Sequence, residues 1–195
     1  VAGAHRWDPD VSSTGYRRRT QAATVAEVAE NSPAPTVPVI CFTAPSGTGK
    51  TTLLGAVIEG LTKRGYRVAA IKHDAHRIEL DTEGKDSWRL RQAGAVDTVL
   101  MGENQLAWMG SPSSLPSLDV VLALLAREAD VVVVEGFRSA GFPTVLVQRP
   151  EVIDPTWRRP DDDQVILTVH PDDHELVVDH LESHYLGTST TGAEP

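Results

Sequence analysis

A chain of 195 residues, 41% of them apolar, is long enough to bury one α/β core, and its single cysteine, Cys41, excludes a disulfide framework. No apolar run reaches membrane-spanning length, so a soluble cytoplasmic protein without a membrane partner is expected. The net charge of −9 is confined to one end: residues 38–150 hold twelve basic and twelve acidic side chains, residues 151–195 two and eleven. That balance excludes nucleic acid as a natural partner, because a phosphate backbone demands a basic surface.

Residues 1–36 mix Gly, Ser, Thr, Pro and Ala with little periodicity and read as a flexible arm, within which Gln21–Glu30 has the composition of a short helix. From Val37 to about residue 186 strand and helix patterns alternate, and residues 187–195 read as a disordered tail. The first strand, Val37–Phe42, runs into Ser46-Gly47-Thr48-Gly49-Lys50-Thr51-Thr52, and a helix follows to about Arg64. Leu54, Val57, Ile58 and Leu61 line one side of that helix, and Gly65 stops it. Tyr66–Ile71 is the next strand, Asp86–Ala93 a short helix, and Thr98–Met101 and Ala107–Met109 short strands. Ser117–Glu128 reads as a helix with Leu118, Val121, Leu122 and Leu125 facing inward. The consecutive valines of Asp130–Val134 require burial on both faces, hence a central parallel strand. Strands at Thr144–Gln148 and Gln164–Val169 and a helix at Asp172–Tyr185 complete an α/β, P-loop NTPase type of fold. It has a mostly parallel, doubly wound sheet flanked by helices, with additional mixed strands.

The strand, Gly-x-Gly-Lys-Thr-Thr and helix, in that order, form a phosphate-binding loop. Glycines let the backbone approach an anion, and the helix N-terminus supplies positive dipole. Ser46 to Thr52 are the candidate binding residues: Lys50 reaches the β- and γ-phosphates, and the Thr51 hydroxyl binds Mg²⁺. Ala44 stands where the full G-x-x-x-x-G-K-[ST] motif has its first glycine. The turn must therefore run through an ordinary φ or be held differently by Pro45.

The valine strand ends in Glu135, placed like the carboxylate that works with such a loop on Mg²⁺, its water or the attacking nucleophile. Its alternative is a helix-capping or salt-bridging carboxylate. Lys72-His73-Asp74-Ala75-His76 occupies another strand tip, where Asp74 can orient water or bind Mg²⁺ and Lys72 can neutralise phosphate. His73 and His76 have the spacing of a transition-metal pair, which two ligands do not complete. Lys85 and Arg89 share a helical face that can grip an anion, or belong to a solvated helix with an Asp cap. His180 and His184 lie one turn apart on an acidic helix whose histidines read as incidental.

Four motifs occur in order: Ser-Gly-x-Gly-Lys-Thr-Thr-Leu; Arg-Val-Ala-Ala-Ile-Lys-His-Asp-Ala-His; Asp-x-x-Gly-Lys-Asp-Ser-Trp-Arg-x-Arg-x-Ala-Gly-Ala; and Val-Val-Val-Val-Glu-Gly-Phe-Arg. Over residues 38–170 the chain thereby resembles the MobB-type molybdopterin-guanine dinucleotide biosynthesis adaptors. That resemblance implies GTP binding with Mg²⁺, weak hydrolysis and a homodimer with a mixed sheet. It also implies a supporting role beside the MobA-type guanylyltransferase and molybdopterin-processing proteins. It carries Ser46 to Thr52, Lys72, His73, Asp74, Lys85, Asp86 and Glu135 over as site residues: Asp74 and Glu135 catalytic, and Thr51, Asp74 and Glu135 on the metal.

Two other classes use the same loop. A small-molecule kinase needs an arginine-bearing lid, for which Arg149 and Arg158-Arg159 in a short Pro-flanked loop are thin. A nucleotide-driven metallochaperone needs a metal site, for which the histidines are the only candidates. The chain has no Asn-Lys-x-Asp guanine signature, so GTP over ATP rests on the resemblance. The tips at Gln148-Arg149-Pro150 and Val169-His170-Pro171-Asp172 are where a base would lie.

Overall fold

The computed structural model describes residues 37–74, 78, 80–110, 116–137 and 141–187. The expected arm with its short helix, His76 and the tail beyond Gly187 lie outside them.

Five strands form a wholly parallel sheet in the order β2-β5-β1-β6-β7: β1 Val39–Thr43, β2 Val68–Lys72, β5 Val131–Glu135, β6 Thr144–Val147 and β7 Val165–Val169. The mixed strands expected from the sequence form a separate antiparallel ribbon, β3 Asp97–Met101 with β4 Leu106–Gly110. Four helices complete the described fold: α1 Lys50–Lys63, α2 Asp86–Gln92, α3 Leu118–Leu125 and α4 His174–Leu181, the last continuing into a π-helical turn, Glu182–Leu186. Among the described residues no helix is long and apolar enough to cross a membrane.

Strand alternation divides the core in two. Ile40 and Phe42 of β1 and Val131 and Val133 of β5 pack with Leu54, Val57 and Leu61 of α1 and Val177, Val178 and Leu181 of α4. Val39, Cys41, Val132 and Val134 point to the other face, against Leu122 of α3. The valine run is thus buried on both faces between β2 and β1, as its composition requires. Burial also pushes the Cys41 thiol up to about 11, which leaves it an inert filler.

Element ends differ from the sequence reading where hydrogen bonding tightens. α3 ends at Leu125, not Glu128, because Arg127 and Glu128 bond back to the carbonyls of Leu124 and Leu125, three residues away. Ser117 caps its start through a bond accepted from the Val120 N–H at 3.4 Å. At the opposite end of the sheet from the phosphate loop, Asp130 accepts from the Arg67 backbone N–H at 2.7 Å and from its guanidinium at 2.9 Å, so β2 and β5 enter the sheet together. These bonds hold the Asp130 carboxyl below the usual carboxylate range.

Candidate functional site

The carboxyl ends of β1, β2 and β5 open on a cavity of about 1150 Å³ whose walls include Ser46 to Thr52, Lys72, His73, Asp74 and Glu135. Strand ends in a parallel sheet put backbone N–H groups and loop side chains at one edge, which is why all these segments meet there.

Gly47 and Gly49 have φ of +76° and +94°, conformations that side chains disfavour, and they shape the turn between β1 and α1. Gly49 is the N-cap of α1 and gives no side-chain cap, so the first-turn N–H groups receive no side-chain partner from it. A Cβ on Gly49 would lie 3.0 Å from Pro171, just beyond β7. The Thr48 hydroxyl donates to the Pro45 carbonyl at 2.9 Å and closes the loop on itself. Among the described residues Phe137 is the one non-glycine with positive φ. Ala44 therefore takes an ordinary φ, and the missing first glycine of the motif is accommodated without strain there.

Glu135 is the centre of the site. The Thr51 hydroxyl donates to its carboxylate at 3.0 Å, Lys50 Nζ lies 3.5 Å from it and Lys72 Nζ 3.8 Å. Three residues that the sequence assigns to phosphate and metal binding, from two different elements, thus converge on one nearly buried carboxylate. The His73 N–H donates to the Glu135 carbonyl at 2.8 Å, and the His73 ring packs on Phe137 with centroids 4.0 Å apart. Gly136, at φ +103°, permits this crossing of strand tips, because a Cβ there would meet the His73 carbonyl oxygen at 2.8 Å.

Thr51 and Glu135 offer hard oxygen donors of the kind Mg²⁺ prefers, and the glycine turn with its open helix N-terminus offers an anion cradle. The residues fit both groups. Asp74 stands on the same wall. Lys85 and Asp86 do not: they begin α2 on the surface and are not among the residues lining the cavity. Other polar side chains of the segment build local structure. Asp81 accepts from Ser87 at 2.8 Å and from Arg91 at 3.1 Å, fixing the turn that starts α2.

The histidines near the end are tied locally. His170 pairs with Asp172 at 3.2 Å, and the His180 and His184 rings stack at 4.3 Å. Burial and the neighbouring His184 ring lower the His180 pKa. Among the described residues no three His, Cys, Asp or Glu side chains gather to hold a metal.

Sequence reasoning missed Asp154 and Trp157, which line the cavity from the β6–β7 connection. Arg149, read from the sequence as part of a strand tip, has its Nη2 4.0 Å from the Cβ site of Gly49. The discoverable signal was length: no periodic element fills the seventeen residues between Val147 and Val165.

Residues 39–171 match the family model described as molybdopterin guanine dinucleotide synthesis protein B. The chain belongs to the MobB family. The molybdopterin-guanine dinucleotide biosynthesis adapter protein of Haemophilus influenzae is 38% identical over 134 residues, covering 68% of this chain and 74% of that one. The Escherichia coli adapter protein of the same name is 36% identical over 116 residues, and the match spans 58% of this chain and 66% of the relative. The crystal structure of Bacillus subtilis MobB superposes with a TM-score of 0.55 at 22% identity, over 77% of this chain and 99% of that one, and so shares the MobB fold. Glu135, Lys50, Thr51 and Lys72 all fall inside the matched MobB segment.

Proposed function

We propose that this protein is a GTP-binding adapter of molybdopterin guanine dinucleotide biosynthesis, with slow hydrolysis of the nucleotide, acting as a homodimer beside the MobA-type guanylyltransferase and molybdopterin-processing proteins in the cytoplasm. The observation that carries the nucleotide reading is the convergence of Lys50, Thr51 and Lys72 on Glu135 at the mouth of an uncapped helix. The pathway rests on the family and on the names of the relatives.

In this reading the loop N–H groups and Lys50 hold the phosphates, and Lys72 adds positive charge from the β2 tip. Thr51 and Glu135 hold Mg²⁺, which when bound neutralises phosphate charge. Asp74 and Glu135 orient a water. Slow hydrolysis is what the family resemblance implies, and an arginine supplied in trans would quicken it. A slow reaction suits a protein whose nucleotide state is read by a partner.

The homodimer is supported by the ribbon. Val99, Met101, Leu106 and Trp108 share one of its faces and are 50%, 72%, 63% and 39% exposed. A two-stranded ribbon is marginal alone, and a contiguous apolar face on it asks for a cover, which a second copy supplies.

Calorimetric titration of Mg²⁺ with GTP or ATP into the purified protein, with products followed by chromatography, tests the nucleotide role. GTP should bind and turn over slowly to GDP, and Lys50→Ala should abolish binding. Retained affinity in that variant removes the phosphate-loop assignment, and a phosphorylated acceptor replaces the adapter with a kinase.

A further inference from the structure

The phosphate loop leaves β1, and the sheet order puts β5 on one side of that strand and β6 on the other. Glu135, with Thr51 and Lys50 upon it, stands at the β5 tip, so the Mg²⁺-bearing end of a nucleotide belongs on that side. A triphosphate laid along the loop then carries its base away from β5, toward the tips of β6 and β7, where open parallel sheets also receive ligands. That ground lies past the loop, outside the walls of the cavity.

Both tips close on Gly49. A Cβ built there would lie 3.0 Å from Pro171, just after β7, and 4.0 Å from Nη2 of Arg149, just after β6. The backbone around Arg149 is fixed: the Gln148 N–H donates to the Val169 carbonyl at 2.8 Å, and the Arg149 carbonyl accepts from the Val152 N–H at 2.9 Å.

The Arg149 guanidinium differs from the others. Arg64, Arg67, Arg91 and Arg159 each hold a carboxylate, and Arg89 and Arg127 are exposed. Arg149 is partly buried, and among the described residues its side chain has neither an ion pair nor a hydrogen bond. Drawing a guanidinium from water without an acceptor is costly, so one left in that condition beside the phosphate loop is fitted to an acceptor-bearing ligand.

The phosphates already have Lys50, Lys72 and the loop N–H groups. A base does not, and the planar fork of an arginine matches two adjacent acceptors. Guanine presents O6 and N7 side by side, whereas adenine sets an N6 amino group, itself a donor, beside N7.

We infer that Arg149 is the base-reading residue of this site, donating to O6 and N7 of guanine and so selecting GTP over ATP. The inference rests on the nucleotide reading above. It supplies the base preference that the absence of an Asn-Lys-x-Asp signature leaves open.

The test titrates GTP, ATP and 7-deaza-GTP, each with Mg²⁺, into the whole chain by calorimetry, in the wild type, Arg149→Met and Arg149→Lys. Met keeps the stem without the charge, and Lys keeps the charge without the fork. The wild type should bind GTP about tenfold more tightly than ATP, with 7-deaza-GTP, which lacks the N7 acceptor, between them. In Arg149→Met GTP should fall to the level of ATP and of 7-deaza-GTP while ATP affinity holds, and Arg149→Lys should recover only part of the preference. Equal losses of GTP and ATP in Arg149→Met make Arg149 a phosphate ligand and overturn the inference, as does GTP affinity unchanged in that variant. Should Arg149→Met unfold, the wild type decides, since equal affinity for GTP and 7-deaza-GTP also overturns it. Failure of the wild type to bind any of the three defeats the nucleotide reading itself.

Discussion

Gly136 shows how one side chain's absence builds the site. The Glu135 carboxylate is useful only if β5 ends where β2 ends, and the two tips are locked by the His73 N–H to Glu135 carbonyl bond at 2.8 Å. The chain must then leave β5 through φ +103° with the His73 carbonyl oxygen against its Cα. Gly136→Ala meets two penalties, a disfavoured backbone and a Cβ at 2.8 Å from a backbone oxygen that has little room to yield. The variant should lose about 1–3 kcal/mol in urea unfolding, and nucleotide affinity should fall with it as Glu135 shifts. Unchanged stability would mean that the strand tips separate easily and do not set the position of Glu135. The position of Glu135 at a strand tip beside the phosphate loop was legible from a valine run ending in a carboxylate. The requirement at Gly136 was not, because it arises from a neighbour 63 positions earlier in the chain.

At the scale of elements, α1 and α4 meet without space to spare. A Cβ on Gly60 would lie 2.9 Å from Val178 Cγ2, and Arg64 at the end of α1 bonds Asp179 at 2.6 Å and Glu182 at 2.7 Å. Two effects oppose each other in Gly60→Ala. Helix propensity favours alanine by about 1 kcal/mol, while overpacking against a stiff β-branched side chain costs about 1–3 kcal/mol. Overpacking should win, so the variant should be less stable in urea despite its better helix former. Val178→Ala alone should also destabilise by leaving a gap, yet the double variant should lose less than the two single losses added, the mark of a direct contact. Simple additivity would place the close approach elsewhere. The helices themselves were readable, since α1 carries its apolar side chains at helical spacing and Gly65 ends it at φ +92°. The change from α4 to a π-helical turn at Glu182 was not, because Glu182 is held by Arg64 and by the Tyr66 hydroxyl at 3.1 Å, both remote in sequence. The β6–β7 connection was undervalued for the related reason that turn residues carry no period, so Trp157 had no pattern to announce it.

Over the whole molecule, the contrast lies between a sheet covered on both faces and a ribbon with one face bare. In the sheet every valine of β5 finds a helix or strand to cover it. In the ribbon Thr98 and Met109 are buried as a cross-strand pair, but Val99 opposite Trp108 and Met101 opposite Leu106 remain open to solvent. If a second copy covers that face, making it polar should separate the copies without unfolding either. Met101→Lys with Leu106→Glu does this cleanly, because opposite charges directly across two antiparallel strands support the ribbon while removing its apolar surface. Sedimentation of the wild type at micromolar concentration should give twice the chain mass of 21.0 kDa, and the double variant should give the chain mass. Nucleotide binding should persist in the variant, since none of these residues lines the phosphate cavity. A wild-type monomer would remove the dimer, whereas a dimer that survives both substitutions would move the contact to another surface and leave the bare ribbon for a different protein to cover.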